Sequence, residues 1–305
     1  MSPIFKALAD DTRLRLVHIL FHFELSVNEL VRLMGIGQSR VSRHLKILAE
    51  AGLLRSRRDG LWVFYSAPPA GVMHDFLLAI EPFMPTTDQF SADLTLAAQA
   101  MEERARKTRQ FFNVIADDWD ALNHEILGDF DLPGHVARAM PKNCAVAVDL
   151  GCGTGEVLAR LLPLAGTVIG VDGSARMLEL CKSRLGAQNQ ENAAVSLRIG
   201  ELSHLPLANQ EADFACLNLV LHHLARPTII FPEIRRILKP GGQFFIADFH
   251  SHEDEKMREC YGDHWLGFDC AQIEQALEQN GFKIQHTEHA PVGRQLKMFL
   301  ISAAT

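Results

Sequence analysis

Apolar residues at Leu14, Leu16, Val17, Ile19 and Leu20 recur with a helical period, and Asp11 or Thr12 ahead of them is a good N-cap, so a first helix is predicted there. A second, short helix follows over Val27 to Leu33. Ser26-x-x-Glu29 opens it as a capping box, and Gly35-Ile36-Gly37 ends it in a tight turn. The third predicted helix runs from Ser39 to Glu50 and stops at Gly52. Its Val41, Leu45 and Leu48 share one stripe, which leaves Arg40, Ser42, Arg43 and Lys46 on the solvent side. From Leu53 to Ser66 the residues are β-prone, and Asp59-Gly60 in their midst predicts a hairpin carrying Arg57 and Arg58 near its tip. Helix, glycine-containing turn, helix and basic hairpin is the order of a helix-turn-helix with a wing.

Pro68-Pro69, Pro82 and Pro85-Thr86-Thr87 then interrupt regular structure, as in a connection, and a helical pattern resumes from about Ser91 to Arg109. We therefore expect a head at residues 1–85, a helical linker at 86–110 and a body at 111–305. In the body the pattern alternates between short apolar runs and amphipathic stretches. Strands are predicted at Ala145–Leu150, Thr167–Asp172, Val195–Ile199, Asp213–Leu219 and Gln243–Asp248, with two further β-prone runs, Phe282–Glu288 and Leu296–Ala303, pairing at the sheet edge. The alternation predicts an α/β fold with a mostly parallel sheet.

The first of these strands runs into Gly151-Cys152-Gly153-Thr154-Gly155 and a helix, and the second ends on Asp172: a nucleotide-type βαβ unit. A dinucleotide fingerprint would set a pyrophosphate on the helix N-terminus. Here the acid Asp149 precedes the glycines by two, which repels a pyrophosphate and suits a ligand with an ammonium and a sulfonium. Asp172 is placed to accept both hydroxyls of a ribose. S-adenosylmethionine meets these requirements better than NAD does.

Charge changes the picture of the head. Over 305 residues the net charge is −7, which by itself argues against a nucleic-acid binder. Residues 1–66 hold 10 Lys and Arg against 6 Asp and Glu, a net of +4, and the rest holds 20 against 31, a net of −11. A small basic element thus precedes a large acidic one. The six cysteines form no CxxC pair and none lies in residues 1–100, so neither a zinc ribbon nor thiolate sensing in the head is expected. His18 and His22 stand at i and i+4, but no third ligand is visible beside them, and no metal is expected. With no secretory signal and no apolar run of membrane-spanning length, a cytoplasmic protein is expected.

Phe5-Lys6-Ala7-Leu8-Ala9-Asp10-Asp11-Thr12-Arg13-Leu14-Arg15-Leu16 and Gln38 to Leu54 closely resemble the ArsR-type winged helix-turn-helix regulators over about residues 4–66. The resemblance implies a homodimer on a palindromic operator. Its DNA-reading set would be Gln38, Ser39, Arg40, Ser42, Arg43, His44 and Lys46 on the third helix, with Arg57 and Arg58 on the wing. Val148 to Gly155, Gly170 to Ser174, Ala212-Asp213-Phe214, Leu221-His222-His223-Leu224 and Ile237 to Gly242 resemble the class I S-adenosylmethionine-dependent methyltransferases over about residues 105–305. Their seven-stranded Rossmann-like sheet is implied. So is a cofactor set in which Asp149, Gly151, Cys152, Gly153 and Gly155 hold the methionine part, Asp172 the ribose, Gly173 and Met177 the adenosine, and Glu201 and Leu202 the adenine, with Asn218 beside them. Phe112, Asp118 and Trp119 resemble the lid of such enzymes. His222 and His223, after the fourth strand, are the candidate catalytic residues. Asp248, His250, His252 and the acids Glu253 to Glu255 read as a solvated loop near the same rim. Two functions are expected from these residues: a DNA-binding regulator whose body methylates a small molecule, or a regulator whose body only senses S-adenosylmethionine or S-adenosylhomocysteine.

Overall fold

Asp10, in extended backbone, caps the first long helix by accepting from the amide of Arg13 at 3.0 Å, one residue earlier than the expected Asp11 or Thr12. A computed structural model describes residues 3–85, 87–186 and 194–305; Met1, Ser2 and Thr86, expected in the head and its connection, lie outside the described residues. The chain forms two compact units, Met1–Arg104 and Ala105–Thr305.

In the first unit α1 (Pro3–Leu8) precedes α2 (Asp11–His22), α3 (Val27–Met34) and α4 (Gln38–Glu50). The capping box at Ser26 is formed: the Ser26 amide donates to Glu29 at 2.8 Å, and the Glu29 amide donates back to the Ser26 hydroxyl at 3.4 Å. Gly35 ends α3 at a φ of +65°, a left-handed turn that glycine adopts without a Cβ clash. Leu16, Val17, Ile19 and Leu20 of α2 meet Leu30 of α3 and Val41, Leu45 and Leu48 of α4 in one core, every one of them buried. Full burial of each such side chain stabilises by roughly 1.5–3 kcal/mol.

The wing consists of β2 (Arg55–Asp59) and β3 (Trp62–Ser66), to which the short β1 (Leu25–Ser26) adds, in the order β1-β3-β2. Asp59 pairs with Trp62, so the two turn residues are Gly60 and Leu61 rather than Asp59 and Gly60. Where a bare connection was expected, α5 (Val72–Ile80) and a 3-10 turn (Glu81–Phe83) are formed. The prolines flank this proline-free apolar run rather than divide it, so they bound a helix. α6 runs over Asp88–Ile115, longer at both ends than the pattern from Ser91 to Arg109. Its buried Asp93 accepts two hydrogen bonds from the Arg15 guanidinium at 2.6 and 2.8 Å, which anchors the start of α6 within the first unit.

The second unit adds α7 (Trp119–Leu127) and α8 (Leu132–Ala139), then alternates β4 (Val146–Leu150), α9 (Glu156–Leu161), β5 (Thr167–Asp172), α10 (Ala175–Gly186), β6 (Ala194–Ile199), β7 (Ala212–Asn218), α11 (Phe231–Ile237), β8 (Leu238–Phe249), α12 (Lys256–Tyr261), α13 (Cys270–Gln279), β9 (Lys283–Pro291) and β10 (Lys297–Ala304). The sheet order is β6-β5-β4-β7-β8-β10-β9, parallel except for β10, which runs antiparallel to both β8 and β9. Two apolar layers cover its faces. The strand order turns back at β4, with β5 on one side and β7 on the other, and ligands of such sheets bind at the carboxyl ends of the strands beside that point. Among the described residues no helix is long and apolar enough to cross a membrane.

Candidate functional site

The carboxyl ends of β4, β5 and β7 bring Asp149, Asp172 and Asn218 to one rim of the sheet. They line a cleft that encloses about 1200 Å³, open solvent at its mouth included. Asp149, Gly151, Cys152, Gly153, Asp172, Gly173, Met177, Glu201, Leu202 and Asn218 all face this cleft. Of the candidate cofactor residues only Gly155 does not. A Cβ there would stand 2.4 Å from Cys181 Sγ, so Gly155 lets the start of α9 pack on α10.

Asp149 is 2% exposed, and burial pushes its carboxyl up to about 7, against a thiol hydrogen bond from Cys216 at 3.3 Å. The Asn218 amide lies close enough to bear on that titration, yet both of its polar atoms are buried without a hydrogen-bond partner. Asp172, also raised by burial, is fixed by accepting from the Gly153 amide at 2.9 Å and the Ser174 amide at 2.8 Å, which leaves lone pairs directed to the cleft. Gly151, at φ +72°, has Val220 where a Cβ would stand, at 2.5 Å. A buried carboxylate, an unpartnered amide and a backbone cradle without side chains fit a cationic, hydroxyl-bearing ligand such as S-adenosylmethionine.

The segment ahead of α8 covers the cleft within the second unit. Phe112 and Trp119 line it, as their resemblance to a lid implied, whereas Asp118 is exposed and lies outside the lining. The ties of this lid come instead from neighbouring residues. Arg109 pairs with Glu201, Asn113 accepts from the Ser174 hydroxyl at 2.7 Å, Asp117 pairs with Arg176 at 2.5 Å, and Asp120 accepts from Thr154 at 2.6 Å. Only a folded chain reveals these pairs, since each joins residues far apart in sequence.

His222 and His223 occupy a 3-10 turn (Leu221–His223) after β7, and they diverge. Only His223 lines the cleft. The His222 ring bonds Asp248 through Nδ1 at 2.6 Å, and its Nε2 lies 3.7 Å from Asp263. Burial alone would lower His222, but the Asp248 and Asp263 carboxylates prevail and raise it to about 9, so it is an imidazolium at neutral pH. Burial and that neighbouring charge hold His223 well below its ordinary value. His223 Nδ1 meets the Gly262 carbonyl at 3.3 Å and must donate there, so Nε2 carries the lone pair. That Nε2 is buried without a partner, and the Phe112 ring stands edge-on at 4.7 Å. Asp263, raised to about 7 by burial, was not singled out by the sequence; it lies 3.8 Å from His223 Nδ1. The expected polar loop is divided: Asp248 serves His222, His250 meets His289 at 2.9 Å, and Asp254 pairs with Arg294 at 2.8 Å.

In the first unit Gln38, Ser39, Arg40, Ser42, Arg43 and Lys46 are exposed on α4. His44 is half-buried and turned toward Asp10 at 3.9 Å. On the wing Arg58 is exposed, while Arg57 is engaged with Glu24 at 3.2 Å and Asp59 at 2.5 Å.

A family model for bacterial regulatory proteins of the arsR family matches residues 10–56, and one for methyltransferase domains matches residues 148–246. The chain is 30% identical over 158 residues to the 2-phytyl-1,4-naphtoquinone methyltransferase of Nostoc punctiforme, which covers 50% of this chain and 68% of that one. The chain belongs to the class I methyltransferases. Its head is similar to the arsR family: it is 46% identical over 67 residues to the arsenic resistance transcriptional regulator ArsR1 of Pseudomonas putida, 22% of this chain and 52% of that one. A segment similar to arsR-type regulators thus precedes a methyltransferase domain in one chain. The chain spans less than two thirds of several curated relatives, 29% of an uncharacterized 37.1 kDa protein of a Streptomyces fradiae transposon among them. The crystal structure of the [4+2]-cyclase SpnF shares the fold, with a TM-score of 0.56 and 16% identity over 65% of this chain and 94% of that one.

Proposed function

We propose that the second unit of this methyltransferase binds S-adenosylmethionine and methylates a small aromatic acceptor bearing an ionisable hydroxyl, and that the first unit binds a palindromic operator as a homodimer. The observation that carries the catalytic reading is His223 Nε2: a buried lone pair without a partner, on a residue that lines the same cleft as Asp149 and Asp172. A mere sensor has no use for a base there. The rings of Phe112 and Trp119 beside it suit a planar acceptor. Several curated relatives are named as methyltransferases of quinones, which agrees with such an acceptor.

S-adenosylmethionine supplies a methyl group already activated on a sulfonium. Asp149 offsets the ligand's positive charge, Asp172 takes the ribose hydroxyls, and the lid excludes water. His223 Nε2 accepts the acceptor's proton as the new bond to methyl forms, and Asp263 beside Nδ1 offsets the charge the proton brings. His222, already an imidazolium between two carboxylates, holds Asp263 in place and takes no proton.

In the first unit the exposed α4 residues and Arg58 are assigned to DNA, with half-sites about one helical turn apart. Arg57 and His44 support the wing and the start of α2 instead. Exposed Phe5, Val72, Leu78 and Phe83 support self-association through this unit. Operator and cofactor meet in the cytoplasm. Incubating the full chain with methyl-labelled S-adenosylmethionine and a panel of phenols and quinols tests the reading. Labelled product and S-adenosylhomocysteine are expected. If the ligand alters operator affinity while no acceptor is ever labelled, the second unit is a sensor.

A further inference from the structure

We propose that His18, His22 and Glu81 form a binding site for a divalent late transition-metal cation, zinc or its neighbours cobalt and nickel, within the first unit. The i, i+4 spacing on α2 sets the two imidazoles one turn apart, with ring centroids 5.5 Å from each other. The 3-10 turn after α5 supplies the third ligand, remote in sequence: Glu81 Oε1 lies 2.9 Å from His22 Nε2. One ligating atom from each residue falls within 4.8 Å of the others. Donor atoms of a tetrahedral site stand roughly 3.3 Å apart, so a modest turn of one ring closes the set.

The His18 ring is independently poised. Its Nδ1 is buried and has no hydrogen-bond partner among the described residues. The ring lies 5.4 Å from Phe90, which walls one side of the cluster. Two imidazoles and a carboxylate without a thiolate select borderline divalent cations over thiophilic ones. Three protein ligands leave one position for water. All three residues are half-buried, so the cation can enter from solvent. Once bound it would tie α2, which packs on α4, to the turn after α5.

Zinc alone is the probe, titrated into the full chain against a chromophoric chelator, with cobalt as a spectroscopic substitute. One tight zinc per chain is expected, together with cobalt absorption of a tetrahedral site and a higher melting temperature. His22→Gln and Glu81→Gln should each weaken zinc at least about tenfold, a loss already typical of residues that merely support metal ligands. Circular dichroism of the metal-free variants checks folding, and the half-exposed, isosteric Glu81→Gln keeps the test decisive should a histidine variant unfold. Zinc affinity and melting shift unchanged in Glu81→Gln would overturn the site, because the cation would then sit elsewhere, as at the buried group of His222, His223 and Asp263. A full chain that takes no zinc overturns it as well.

Discussion

Binding of a cationic ligand in the cleft should fall steeply below pH 7 because Asp149 must be ionised to receive it. Its carboxyl is pushed up to about 7 by burial, so it is about nine-tenths ionised at pH 8 and about one-tenth at pH 6. The dissociation constant for S-adenosylmethionine should therefore rise about tenfold between those pH values, about 1.4 kcal/mol. Calorimetric titration in two buffers of different ionisation enthalpy should detect close to one proton released per ligand near pH 6. Asp263 titrates in the same range but lies away from the ligand, and Asp149→Asn separates the two: the variant should bind weakly and with no pH slope from this source. Stability supplies a second reading of opposite sense. A carboxyl whose folded pKa exceeds the unfolded value contributes stability that is full below about 4 and is lost as pH rises through 7, here about 4 kcal/mol from the span between 3.8 and about 7. Asp149→Asn should thus melt no lower than the parent at pH 8 in the absence of ligand, despite its weaker binding. A dissociation constant that stays flat from pH 6 to 8, or an Asn variant that keeps the slope, would refute the assignment of Asp149 as the counter-charge.

Further outcomes follow from the same geometry. His223→Ala should lower the rate of methyl transfer by about 10²–10⁴ with little change in S-adenosylmethionine affinity, read by single-turnover kinetics beside calorimetry. Lys46→Ala should weaken operator binding and reduce its salt slope by about 1, and Arg43→Ala should cost about 1–3 kcal/mol and relax specificity; Arg57→Ala, which breaks the contacts to Glu24 and Asp59, should lower the melting temperature more than the DNA affinity. His222, raised to about 9 between Asp248 and Asp263, contributes stability that is full below pH 6.5 and lost as pH rises through 9, so chemical denaturation at pH 6.5 and 9.5 should show a decline that Asp248→Asn reduces. Gly151→Ala should abolish ligand binding, since its Cβ would meet Val220 and its φ of +72° is strained for any side chain.

The elements that were legible in the sequence are those whose pattern and chemistry agree over a short span. The Ser26 capping box, the Val41, Leu45 and Leu48 stripe and the strand-glycine-helix-strand run ending at Asp172 are each local, and each formed. The misses are also local in kind. Prolines around Val72–Ile80 punctuate a helix from outside, and composition alone does not tell flanking from interruption. The hairpin turn shifted by one residue because register is set by cross-strand pairing, Asp59 against Trp62, and not by the preferred dipeptide.

The site divides along the same line, and the division explains where chemistry hides from a sequence. The glycine loop and its two acids lie within two strands and one turn, so their spacing reveals the ligand. The pair His222-His223 reveals only that a histidine stands at the rim; which of the two faces the ligand depends on partners drawn from Asp248 and Asp263, on other segments. Those partners do opposite things to adjacent residues: two carboxylates hold His222 charged, and that charge together with burial keeps His223 neutral. The same holds for the lid, in which the visible candidate Asp118 is exposed and lies outside the cleft lining while Asp117 and Asp120 tie it down. Residues that bind a ligand directly are constrained by local backbone shape and leave a motif. Residues that tune a base or fasten a lid need only arrive by some route through the fold, and nothing in the physics obliges them to leave one.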